Sequence, residues 1–354
     1  MEIRLINAYS TRNLGDAAIY AAFCQLSPAT RASVDLADAN PTLVSGLEIK
    51  TASSNEDVTV SVGGDIFNNG RPGLITRNFL SNLKDLAANP HQTFLFGQSI
   101  PPSCYGIAFS LLTRAMRKLS SVVVRDEHSF NLLHQAGVPA KLSYDTAFAL
   151  SPSNAAIQAA LASFDELQVE PAKAALISLR GGSPLYDADE KRTDQQLCEI
   201  IHELYNRGHQ PTLLIQSDCD AADSDWQQAQ RLRSIFPTIA VFDPFNAQPP
   251  VAAWDMLTGY LALANSVLAV RYHAAVLRLI SGRVPYVLHY SNKGEDLCNR
   301  LNLPGRKLGH GNADEIVSQL ELSADKLFDP APLADHVGQS FADCISQIKQ
   351  RMAA

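Results

Sequence analysis

Short apolar runs recur along this chain, separated by stretches whose apolar residues fall at helical spacing, and that alternation predicts an α/β protein built on parallel sheets. Ile3 to Ala8 reads as a first strand, and Asn13-Leu14-Gly15-Asp16 turns the chain into a helix-like stretch, AAIYAAFCQL. Strand-like runs follow at Val58 to Val62, Thr93 to Gly97 and Ser121 to Val124. Helical candidates lie between and after them near Thr76 to Ala88, Ala108 to Leu119 and Ser129 to Ala136. The polar, Ala-rich stretch from Ser151 to Pro171 interrupts the rhythm. A second series then begins at Ala174 to Leu179 and continues with Leu213 to Gln216, Ile239 to Phe242, Val267 to Val270 and Val284 to His289. The expected fold class is therefore α/β, with two Rossmann-like, doubly wound parallel-sheet domains. The boundary is placed at 1–150 and 151–354, and the helical tail from Ala334 to Met352 is expected to cross back to the first domain.

At 354 residues, 46% hydrophobic and 18% charged, the chain is globular and too long for one compact core, which fits two domains. A net charge of -7 with no Lys/Arg run argues against nucleic acid or an anionic membrane as the main partner, so any anion must be held by local chemistry. Six scattered cysteines without a CxxC pair suit reduced thiols, and no metal site is expected. The N-terminus lacks a signal-peptide pattern and the longest apolar stretch, Leu257 to Val270, is broken by polar residues. A cytoplasmic location is expected, with association at the inner face of the membrane left open.

Candidate chemistry gathers where the predicted strands end, because ligands of open α/β sheets bind beyond the carboxyl ends of the strands. Arg271-Tyr272-His273 carries the strongest signal: two ionisable groups two residues apart at the end of a buried strand are costly unless paired or used. Lys293 follows the next strand, after His289-Tyr290. Arg180-Gly181-Gly182 ends the first strand of the second series and suits either a ligand loop or a plain turn. In the first domain, Asn13, Gly15 and Asp16 suit a tight turn and a helix cap as well as an anion or polar substrate. Gly63-Gly64-Asp65 allows close backbone approach, and Arg125 could bind an anion or pair with a neighbouring carboxylate. GxGxxG is absent, and so is an acidic residue spaced for a ribose, so a nicotinamide dehydrogenase is not expected.

In order, Asn13-Leu14-Gly15-Asp16, Gly63-Gly64, Gly97-Gln98-Ser99-Ile100-Pro101, Arg125-Asp126-Glu127 with Ser129, Asp145-Thr146-Ala147-Phe148, Arg180, Arg271-Tyr272-His273-Ala274 and Tyr290-Ser291-Asn292-Lys293 together resemble the polysaccharide pyruvyl transferase family. The resemblance spans roughly residues 1 to 303. It implies a fold similar to the glycosyltransferase B type, an active site in the cleft between domains, phosphoenolpyruvate as donor and two hydroxyls of one sugar as acceptor. It also implies that Arg125, Arg271, His273 and Lys293 serve donor binding and catalysis. Tyr272 stands where the family often has leucine, and Asp65 where small or polar residues are usual, which leaves the acceptor open. On this reading Asn13, Gly15, Asp16, Gly63, Gly64, Asp65, Gln98, Ser99, Arg180 and Tyr290 contact substrate, with the hydrogen-bonding groups of the first domain serving the sugar. The acceptor is a sugar or a lipid-linked oligosaccharide, and no cofactor is expected beyond the donor. Two rivals remain: a B-type glycosyltransferase using a nucleotide sugar, and a non-catalytic carbohydrate-binding protein.

Overall fold

The computed structural model describes residues 2–26, 31–34, 43–44, 48–49, 58–69, 75–180, 190–219 and 224–353. They form two compact units: Met1–Thr11, Asp16–Leu150 and Ala331–Ala354 in the first, Arg12–Gly15 and Ser151–Pro330 in the second. A four-residue segment near the N-terminus thus groups with the second unit and not with the other residues before 151, and the C-terminal helix groups with the first unit.

The first unit is a parallel sheet of β1 (Glu2–Ile6), β2 (Arg31–Val34), β3 (Glu48–Ile49), β4 (Val58–Ser61), β5 (Thr93–Gln98), β6 (Ser121–Val124) and β7 (Ala140–Leu142) in the order β3-β2-β1-β4-β5-β6-β7. All four residues of β6 are buried, as its three consecutive valines require of a strand covered on both faces. The helices are α1 (Leu14–Leu26), α2 (Arg77–Ala88), α3 (Gly106–Met116) and α4 (Glu127–Gln135). Thr76 and Asp126 cap α2 and α4 by accepting the amides of Phe79 and Ser129. The C-terminal helix, Ala331–Ala353, places Phe341 against Phe23, Phe94 and Phe96 at ring-centroid distances of 5.6 to 5.9 Å. Tilted and edge-to-face aromatic contacts of this kind add to the burial that holds the helix on this unit.

The second unit carries α5 (Asn154–Glu166), β8 (Ala174–Ser178), α6 (Glu190–Asn206), β9 (Gln210–Leu214), α7 (Asp225–Ile235), β10 (Ala240–Phe242), α8 (Ala253–Leu263), β11 (Ser266–Ala269), α9 (Tyr272–Ile280), β12 (Tyr286–His289), α10 (Asn292–Leu301), β13 (Gly305–Lys307) and α11 (Ala313–Ala324). Its parallel sheet runs β10-β9-β8-β11-β12-β13. Strand order therefore reverses between β8 and β11 here, and between β1 and β4 in the first unit. These are the switch points at which adjacent connections leave in opposite directions and open a crevice.

The stretch read as an interruption is mostly helix α5. Its Ala156, Ala160 and Phe164 fall at i, i+4 and i+8 and are buried. Small residues on that face let α8 approach so closely that a Cβ on Gly259 would lie 2.6 Å from the Ala156 carbonyl oxygen. Ser153 caps α5 and donates its hydroxyl to Asp255 of α8 at 2.5 Å. Buried Arg278 of α9 donates to the carbonyls of Leu261, Ala264 and Asn265, meeting acceptors that the end of α8 leaves open. Among the described residues no helix is long and apolar enough to cross a membrane.

Candidate active site

At the switch point of the second unit, the chain leaves β8 through Leu179 and Arg180, and leaves β11 through Val270 and Arg271. Ser178, wholly buried, accepts the amides of Val270 and Arg271 at 2.8 and 3.0 Å and so joins the two strand ends. Arg271 is the residue before α9, and His273 lies in the helix's first turn with 8% of its surface exposed. Two peptide units after β12, the chain enters α10, whose first turn carries Lys293.

The side chains divide into two kinds. Arg271 is committed within the fold: its Nε donates to the Leu179 carbonyl at 3.0 Å and its Nη2 to Asp225 Oδ1 at 2.6 Å. Asp225 is wholly buried and also accepts the amides of Gln216 and Ser217 at 2.8 and 2.9 Å. Burial pushes its carboxyl up from the ordinary range, while the guanidinium and the two amides pull it back. Arg180 and Lys293 are half-buried and rest on aromatic faces. The Arg180 guanidinium lies 4.7 Å from the centroid of Tyr290, and Lys293 Nζ lies 5.6 Å from that of Tyr272. Cation–π contact of this kind orients a guanidinium or ammonium over the ring face.

The Arg12–Gly15 segment lies along the extension of β9. Leu14 donates its amide to the Gln216 carbonyl at 3.0 Å, Asp218 donates its amide to the Arg12 carbonyl at 3.0 Å, and Arg12 pairs with the Asp218 carboxylate. Asn13 accepts the Gly15 amide at 3.1 Å. Gly15 is pressed against the imidazole: a Cβ there would stand 2.1 Å from His273 Nδ1. Asn13 and Gly15 thus belong to the surroundings of His273 within the second unit, although the sequence placed both in the first domain. Asn13-Leu14-Gly15 reads locally as a turn into a helix, and nothing local reveals that its partner strand lies two hundred residues away.

The carboxyl edge of the first unit has a different character. Arg125 is buried, its Nε donating to Ser99 Oγ at 2.8 Å and its Nη1 to Asp145 Oδ2 at 2.6 Å, with Asp65 Oδ1 3.6 Å from Nη2. Of the two readings that sequence left open for Arg125, pairing with a carboxylate is the one seen. Gln98 is also revised: it has no exposed surface and its Nε2 donates to the Gly64 carbonyl at 3.3 Å, so it supports the glycine turn from beneath. Gly63 is required because a Cβ there would meet the Gly97 carbonyl oxygen at 2.4 Å, and Gly64 adopts φ +127. Asp65 is half-buried and Asp16 nearly covered, with Asp16 Oδ1 3.9 Å from the position a Gly64 Cβ would take. Two carboxylates, Asp145 and Asp65, flank the one guanidinium, and with Asp16 beside the glycine turn this edge suits hydroxyl donors better than anions. Gly181 and Gly182 lie outside the described residues.

Sequence reasoning missed Asp225 and Ser178, and it quoted Asp145 without giving it a role. An Asp at a helix start and a Ser in a strand are ordinary signals, and only burial shows that these carry the site's framework.

The pattern that defines polysaccharide pyruvyl transferases matches residues 13–292. No curated protein matches the sequence significantly. Among solved structures, UDP-GlcNAc 2-epimerase from Neisseria meningitidis is 10% identical with a TM-score of 0.60, covering 98% of this chain and 100% of its own. The corresponding enzyme from Methanocaldococcus jannaschii gives 10%, 0.58, 98% and 100%. A putative UDP-N-acetylglucosamine 2-epimerase from Listeria monocytogenes gives 10%, 0.58, 97% and 94%. At such identity the likeness concerns the fold, two Rossmann-like domains of the glycosyltransferase B kind.

Proposed function

Because the chain belongs to the polysaccharide pyruvyl transferase family, we propose that it moves the pyruvyl group of phosphoenolpyruvate onto two hydroxyls of one sugar, forming a ketal and releasing phosphate. The observation that carries this reading is the grouping of Arg180, His273 and Lys293 at the carboxyl ends of three neighbouring strands of one sheet, with Arg180 over the Tyr290 ring and Lys293 over the Tyr272 ring. A three-carbon acid bearing a carboxylate and a phosphate needs two such cations. Arg180 suits the carboxylate through its planar fork, and Lys293 suits the phosphate as a compact charge.

The chemistry adds a proton to the methylene carbon, leaving an oxocarbenium-like centre at the adjacent carbon. One sugar hydroxyl attacks that carbon, the bond to the phosphate oxygen breaks with its electron pair leaving on phosphate, and the second hydroxyl closes the ketal. His273 is the group suited to carry these protons near neutral pH. Arg271 and Arg125, expected to grip the donor, have charges offset by Asp225 and Asp145, so in this reading they orient neighbouring groups. Asp16 and Asp65 are the candidates for accepting hydrogen bonds from sugar hydroxyls.

The test is phosphate release from phosphoenolpyruvate in the presence of free, nucleotide-linked and lipid-linked sugars, with mass analysis of the product. Acceptor-dependent release, and a product heavier by pyruvic acid less one water, are expected. Both should vanish in His273→Ala. Nucleoside diphosphate released from a sugar nucleotide, or glycan binding without turnover, would replace this reading with a glycosyltransferase or a binding protein.

A further inference from the structure

We infer that Asp225 is the positioning residue for His273, acting on the imidazole from two sides through one buried carboxylate. The inference rests on the reading of His273 as the proton-transfer group. On one side, Asp225 holds Nε and Nη2 of Arg271, the residue from which α9 starts and two positions before His273. On the other, it holds the amides of Gln216 and Ser217. Gln216 in turn accepts the amide of Leu14, and Ser217 bridges Asn13, so this backbone carries the segment whose Gly15 abuts the imidazole. Asp225 thus fixes both the helix that bears His273 and the wall against which it rests.

A carboxylate is the group this position needs. Its four partners are all N–H donors, and an ionised carboxylate is an acceptor through both oxygens. An amide of the same size would turn a donor toward one of them. Ser178 adds a neutral brace by accepting the amides of Val270 and Arg271. The consequence reaches Arg271 as well. Its charge is matched inside the fold by Asp225.

The experiment compares full-length wild type, Asp225→Asn, Arg271→Gln and the double variant. The readouts are kcat and KM for phosphoenolpyruvate with an accepted sugar, its Kd by calorimetry, and the imidazole nitrogen and carbon signals of His273 in NMR, assigned by His273→Gln. Because misplacement by about 1 Å costs about 100-fold in rate, Asp225→Asn is expected to lower kcat by about that factor. The Kd should stay within about threefold of wild type, and the His273 signals should shift. The double variant leaves no unpaired buried charge, so it keeps the readouts available if Asp225→Asn folds poorly, and it should show the same His273 shift. Unchanged His273 signals in a folded variant, or a loss in Kd equal to the loss in kcat, would overturn the assignment. If wild type neither turns over nor binds phosphoenolpyruvate, the functional reading fails, and the His273 signals alone decide whether Asp225 positions the imidazole.

Discussion

Replacing Gly15 by alanine puts the geometry around His273 to a direct test. Gly15 is the second residue of α1 and is buried, and a Cβ there would lie 2.1 Å from Nδ1, 2.4 Å from Cγ and 2.7 Å from Cβ of His273. Relaxed carbon contacts stand at about 3.5–4.0 Å, so the ring must retreat by roughly 1.5 Å. Rotation about the outer bond cannot absorb this, because the histidine's own Cβ is among the clashing atoms. Alanine in place of glycine in a helix contributes about 1 kcal/mol of stability, and overpacking costs about 1–3 kcal/mol. The net change in stability should therefore stay within about 2 kcal/mol. Activity should respond far more, since a 1 Å misplacement from productive geometry costs about 100-fold. The assay pairs phosphate-release kinetics with a urea melt: kcat is expected to fall about 100-fold while the folded protein persists. Wild-type kcat in Gly15→Ala would refute the placement of the glycine against the imidazole.

Three further outcomes follow from the same structure. Asp145→Ala leaves the buried Arg125 without its closest carboxylate and should destabilise the protein by about 3–5 kcal/mol in a denaturant melt; a change below about 1 kcal/mol would contradict the ion pair. Phosphoenolpyruvate affinity should decline as ionic strength approaches about 1 M, where charges are screened beyond about 3 Å, and it should do so less in Lys293→Ala; an affinity indifferent to salt would argue against recognition by half-buried cations. Burial raises the thiols of Cys104 and Cys298 to about 12 and that of Cys344 to about 11, from an ordinary 9.0. The folded chain therefore keeps protons that the unfolded chain releases, so this stability is complete below pH 9.0 and lost as pH rises toward 11 and 12. Melts across that window should show a decline that Cys104→Ala lessens, and a flat profile would count against it.

Sequence alone determined much of the architecture. Runs such as Val122–Val124 and Val267–Val270 are apolar without interruption, as strands covered on both faces are, and their alternation with helical spacing points to parallel sheets. The order of chemistry-bearing fragments at strand ends also sufficed to point to the family. What tertiary structure alone decided is which charges are used up and by whom. Whether Arg125 and Arg271 face a ligand or a carboxylate depends on Asp145, 20 positions on, and Asp225, 46 positions back, and no local spacing encodes such pairings. The same holds for Arg12–Gly15, which reads as the start of a first-domain helix yet lies along Gln216 to Asp218 of the second unit. Local propensity fixes the element a residue joins, because that depends on neighbours three or four positions away. The partner of a buried charge is fixed by the requirement that it not be left unmatched in low dielectric, and the fold meets that requirement with whichever residue it brings near.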